Sequence, residues 1–320
     1  MILDDKLSKH EIIVLDGAIG SEINRLGGAM DAAAWCGVAN KTHPDVVRRV
    51  HEEYIRAGAS VVTANTFATC RHVLAGAGLA DEAVSINTRA VELAREAVNE
   101  AAPDRPVAVA GSMSNNVAWI PGTVSPDPQF FPTRKEEAAN YREMADALAE
   151  AGVDLLLMEM MADIDHASMV TAAAAETGLP VWIGISCSLL ADGSAGAWNM
   201  HEEEPADRLA AGHAKPETEP LAPVIDALMS FEPQVMGIMH SKVDAMGAGL
   251  EALFQHWHGP VMAYPEALDA HAMEPAEFAT HCRGWVEGGV QIVGGCCGTT
   301  IEHIRAMVGT LPNAIGDRPE

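Results

Sequence analysis

Along this chain, short unbroken apolar runs alternate with longer stretches whose apolar residues recur at helical spacing. The first run, residues 12–15 (Ile-Ile-Val-Leu), ends at Asp16-Gly17. Others lie at 60–64, 107–110, 153–158, 181–186, 235–239, 261–264 and 290–293. Between and after them the pattern predicts helices over 45–57, 81–101, 134–151, 163–177, 221–231, 243–257, 275–287 and 301–308. Apolar runs without period-two alternation suit strands buried on both faces of a parallel sheet. Eight strand-then-helix units predict a single-domain (β/α)8 TIM barrel spanning residues 1–320. A doubly wound sheet is the alternative, but it would usually carry a G-x-G-x-x-G loop after a strand, and the sequence has none.

Two segments interrupt the rhythm, 115–133 and 189–220. Both follow strands, which puts them on the barrel face where loops build active sites. The first holds Trp119, four prolines and Phe130-Phe131, and is expected to reach the site. The second is rich in Gly, Glu and Pro and reads equally as a site loop or a surface loop.

Composition narrows the function. Hydrophobic residues make up 48% of the chain, enough for a large core. No apolar run approaches the ~20 residues of a membrane span. Residues 1–11 are polar and mixed in charge, so no export signal is expected, and a cytoplasmic protein with reduced thiols is. Lys and Arg total 20 against 45 Asp and Glu. The net charge of −25 argues against a nucleic-acid partner, because phosphate binding needs clustered positive charge.

The chemistry concentrates at the last strand. Residues 294–300 read Gly-Gly-Cys-Cys-Gly-Thr-Thr. Two adjacent thiolates, freed by flanking glycines, can both reach one zinc ion, so Cys296 and Cys297 are candidate ligands. Two small buried thiols are the alternative.

This motif resembles the zinc site of the homocysteine S-methyltransferases. The likeness extends to residues 15–20 (Leu-Asp-Gly-Ala-Ile-Gly), 56–59 (Arg-Ala-Gly-Ala), 63–67 (Thr-Ala-Asn-Thr-Phe), Asn87, Glu159 and Tyr264-Pro265. The resemblance implies a zinc-dependent methyltransferase acting on a small-molecule thiol, homocysteine, and on a sulfonium or quaternary-ammonium donor such as S-methylmethionine or a betaine. It implies substrate roles for Asp16, Gly17, Trp35, Thr66, Glu159 and Tyr264, and homo-oligomers are common among such proteins. Where the family's third zinc ligand is a cysteine, this chain has His240, which is chemically sound in a His-Cys-Cys site. Cys187 is a possible stand-in ligand, although core packing suits it better. Glu266 stands where the family usually has asparagine and is expected to attract a cationic donor. Trp35, Phe67, Trp119, Phe130, Phe131 and Tyr264 are candidates for an aromatic wall around it. A zinc hydrolase on the same barrel, or a non-catalytic thiol- or zinc-binding relative, are the competing readings.

Overall fold

The computed structural model describes residues 2–123, 126–197, 220–267 and 273–318. Its strands are β1 (Ile13–Val14), β2 (Val61–Ala64), β3 (Ala108–Ser114), β4 (Leu155–Met161), β5 (Val181–Ile185), a small antiparallel hairpin β6 (Cys187–Leu189) and β7 (Ala195–Ala197), then β8 (Val235–Met239), β9 (Val261–Tyr264) and β10 (Ile292–Val293). Apart from the hairpin they form one parallel sheet in the order β1-β10-β9-β8-β5-β4-β3-β2. The parallel bridge Leu15–Val61 and the 2.7 Å bond from the Ser60 N–H to the Val14 carbonyl join its two edges. The sheet thereby becomes the (β/α)8 barrel that the alternation predicts.

Eight helices follow the barrel strands in turn and ring them: α4 (Pro44–Ala57), α6 (Ala83–Ala101), α7 (Arg134–Ala151), α8 (Ile164–Ala175), α9 (Leu221–Met229), α10 (Val243–His256), α11 (Pro275–Glu287) and α12 (Ile301–Thr310). Their ends follow local chemistry. Thr133 and Glu136 form a reciprocal capping box at the start of α7, and Gly152, at φ 91°, takes the left-handed turn that ends it. Four short helices have no counterpart in the sequence reading: α1 (Asp4–Ser8), α2 (Ile19–Arg25), α3 (Ala39–Thr42) and α5 (Arg71–Gly76). Each has at most seven residues, too few for a 3.6-residue period to stand out.

Alternate strand residues separate two cores. Val14, Val62, Val109, Leu156 and Ile183 face the helices, whereas Ile13, Leu15, Val61, Ala110, Leu157 and Trp182 fill the barrel. Helix α1 closes the floor, because Leu3 and Leu7 join the inner cluster. The buried Gln291 Nε2 donates at 3.0–3.2 Å to the carbonyls of Lys6, Leu7 and Glu11. With the floor plugged, the mouth at the strand C-termini is left for function.

Strands β3 and β4 run beyond the predicted runs to Ser114 and Met161, and so carry Ser112 and Glu159 to the mouth. The β6–β7 hairpin lies where the sequence pattern predicts loop. Most of the 189–220 segment lies outside the described residues. No described helix is long and apolar enough to cross a membrane.

Candidate active site

Three side chains converge at the mouth. His240 follows β8, and Cys296 and Cys297 lie in the turn between β10 and α12. Their ligand atoms all lie within 4.8 Å of one another, and His240 Nδ1 stands 3.3 Å from Cys296 Sγ. A tetrahedral zinc ion, ~2.0 Å from nitrogen and ~2.3 Å from sulfur, sets its ligands roughly 3.5–3.8 Å apart, so this donor set fits one ion. His240 has φ 44°, a left-handed conformation rare for a residue with a side chain. Burial and contact split the two thiols: Cys297 is pulled down to about 5 by the hydrogen bond from Cys296, with His240 adding to this, while the same contact pushes Cys296 up. Cys187 does not join the group; its thiol faces the Ala245 carbonyl beneath α10, so the core reading of it holds.

The turn that carries the two thiols is tied to the loop after β1. Gly295 N–H donates to the Asp16 carbonyl at 3.0 Å. Thr299 Oγ1 accepts from Ala18 N–H at 3.0 Å and donates to the Cys296 carbonyl at 2.7 Å. Gly17 sits so close to Thr299 and Tyr54 that a Cβ would lie 2.8–2.9 Å from their hydroxyl oxygens, which requires glycine there.

Two carboxyl groups share the cavity. Asp16 is buried and accepts from Thr63 N–H at 2.6 Å and Thr63 Oγ1 at 3.0 Å. Burial nevertheless pushes it up to about 8, and the Glu159 charge adds to the rise. Glu159, which accepts a short hydrogen bond from Ser112 Oγ, is pushed up to about 7, again mainly by burial. A cationic group placed between these two carboxyls would lower both. The Tyr264 hydroxyl lies beside Glu159, and burial together with that charge pushes it well above its usual range.

All three metal-group residues, together with Asp16, Gly17, Trp35, Thr66, Glu159 and Tyr264, line one cavity of about 300 Å³. Phe67 and Trp119 also line it, and Trp35 and Phe67 meet edge to face with centroids 6.1 Å apart. Some of the expected residues stand outside this lining or are engaged elsewhere. Glu266 lies outside the lining, because residues 265–267 run alongside the thiol turn: Cys296 N–H donates to the Pro265 carbonyl and Ala267 N–H to the Cys297 carbonyl, both at 2.8 Å. Phe130 and Phe131 lie outside it too, and Phe131 is exposed. The Thr66 hydroxyl is already committed to the Ser112 carbonyl at 2.7 Å. Sequence reasoning missed Cys36, Asn65, Asn116, Met160 and Met239 in the wall. Asn65 and Met239 adjoin the Thr66 and His240 that it did single out, and that adjacency was the available signal.

Two thiols and an imidazole that could hold a metal ion, beside two carboxyls and aromatic rings, give this barrel a mouth suited to thiol chemistry. The homocysteine S-methyltransferase family model matches residues 13–311, and the chain belongs to that family, a methyltransferase family. It is 29% identical to the homocysteine S-methyltransferase of Escherichia coli (strain K12) over 94% of this chain and 96% of that protein. It is 25% identical to betaine–homocysteine S-methyltransferase 1 of Danio rerio over 99% of this chain and 77% of that protein. Methionine synthase of Mycobacterium leprae (strain TN) is 28% identical over 94% of this chain but only 24% of its own length. The crystal structure of the metallated form of the homocysteine methyltransferase MmuM from Escherichia coli shares the fold, with a TM-score of 0.73 at 22% identity over 97% of this chain and 99% of that one.

Proposed function

We propose that this protein moves a methyl group from a small sulfonium or quaternary-ammonium donor to the thiol of homocysteine, with zinc held by His240, Cys296 and Cys297. The observation that carries the reading is the convergence of three soft donor atoms, within 4.8 Å, on the cavity that holds Asp16 and Glu159. When bound there, zinc supplies a place for a fourth, sulfur ligand and keeps that sulfur deprotonated at neutral pH.

The chain's own residues position the partners. Asp16 and Glu159 take the acceptor's ammonium group, whose charge relieves the burial that raises both carboxyls. The loop at Gly17, fixed through Thr299 to the thiol turn, sets the distance between the acceptor's amino-acid end and its sulfur. Trp35, Phe67, Trp119 and Tyr264 face a cationic donor with the electron-rich surfaces of their rings. As the new sulfur–carbon bond forms, the donor's carbon–sulfonium or carbon–nitrogen bond breaks, and its electron pair leaves on the donor atom, which becomes neutral. The thiol proton goes to solvent. No general acid is required, and alignment of two substrates is the main demand.

The test combines metal analysis with transfer from S-methylmethionine or glycine betaine to homocysteine. Protein purified without chelator is expected to carry about one zinc per chain, to lose activity with chelator, and to lose metal in His240→Ala. Zinc-free protein with full methyl transfer would sink the reading.

A further inference from the structure

We propose that Asn65 and Asn40 act as a clasp that holds Trp35 against the methyl donor, making Asn65 a positioning residue for the donor half of the site. Trp35 is at φ 47°, ψ −127°, a conformation that an aromatic residue rarely adopts unless its surroundings impose it. Its flanks show what does. On one side the Asp31 N–H donates to the Trp35 carbonyl at 2.8 Å, while the Asp31 carboxylate accepts from the N–H groups of Ala33 and Ala34. On the other side lies Cys36, which Asn65 holds twice: Asn65 Nδ2 donates to the Cys36 carbonyl at 2.9 Å, and the Cys36 thiol donates to Asn65 Oδ1 at 3.0 Å.

Asn40 completes the device. Its Oδ1 accepts from Asn65 Nδ2 at 3.0 Å, and its Nδ2 donates to the Asn65 carbonyl at 2.8 Å. Both asparagines and Cys36 are buried, so water cannot replace a lost partner. Asn65 directly follows β2 and Asn40 lies in α3, so the end of a barrel strand, braced by a short helix, holds Cys36, the residue after Trp35. Trp35 then stands edge to face with Phe67, and both rings line the cavity. The metal group and Asp16 are reached by other connections, through Thr299 and Thr63. Cutting the clasp therefore falls chiefly on donor binding, because the acceptor side keeps its own ties.

The inference rests on the donor reading of the cavity, and wild-type transfer tests that reading separately. The variants are Asn65→Ala, Asn40→Ala, Trp35→Ala and the two Asn/Trp double variants, measured for donor KM, acceptor KM and zinc content. Asn65→Ala is expected to raise donor KM about tenfold with acceptor KM and zinc unchanged. In the Trp35→Ala background the same change is expected to raise donor KM no further. Acrylamide quenching gives a readout independent of turnover: the Trp35 contribution, taken as the difference from Trp35→Phe, should increase when the clasp is cut. If Asn65→Ala does not fold, the Asn40→Ala cycle and its quenching decide. Additive effects on donor KM, an equal rise in acceptor KM, or unchanged Trp35 quenching would each overturn the clasp.

Discussion

Asp16 shows what a site residue costs its own fold. Its carboxyl has a pKa near 8 in the folded chain against 3.8 when exposed, because burial opposes its charge. A raised folded pKa contributes stability that is complete below 3.8 and is lost as pH rises toward 8. Glu159 behaves alike between 4.5 and about 7. Asp16→Asn should therefore raise Tm at pH 8, since the amide can still meet Thr63 N–H and Thr63 Oγ1, and should weaken homocysteine binding at least tenfold. Thermal scans at pH 5 and pH 8, with acceptor titration, check this; an unchanged Tm difference between the two pH values would refute it. The sequence pointed to Asp16, Glu159 and the two vicinal thiols through motif chemistry. It could not say that Glu266 lies outside the cavity lining, because that depends on the 265–267 segment lying beside the thiol turn.

Among the elements, the turn after β10 matters most. Thr299 joins it to the loop after β1 with one accepted and one donated hydrogen bond, both buried or nearly so. Thr299→Val keeps the shape and leaves the Ala18 N–H and the Cys296 carbonyl without that partner, at about 1–3 kcal/mol for buried groups. Acceptor KM should rise and zinc should be lost to a competing chelator at lower concentration, whereas Asn65 variants should leave zinc untouched. Chelator competition separates the two. The barrel elements were legible because each buried strand is a continuous apolar run and each long helix repeats its apolar face several times. The extensions of β3 and β4 were not, because polar Ser112, Ser114 and Glu159 break the runs; these residues are buried or half-buried at the mouth by what surrounds them.

At the scale of the molecule, burial of an imidazole far from the mouth weakens the fold in acid. His51 in α4 is fully buried, and neither ring nitrogen has a partner. Burial lowers its pKa from 6.5 to about 4. The unfolded chain takes the proton first, so this contribution is present above pH 6.5 and falls away as pH drops toward 4, by about 3 kcal/mol in all. His51→Leu should flatten the decline of Tm between pH 6.5 and pH 4, and an equally steep decline in the variant would exclude the assignment.

The order of apolar and polar residues by itself determined the eight strand–helix units, hence the barrel, and the motif at 294–300 determined the thiol chemistry. Those features are local: a strand, a helix or a pair of adjacent cysteines needs only its neighbours in sequence. Only the closed barrel decided that His240 meets Cys296 from 56 residues away, that two carboxyls are raised together in one cavity, and that Asn65 grips the peptide behind Trp35. Distance, burial and shared hydrogen bonds between remote segments exist only once the sheet has curved round and joined its first strand to its second.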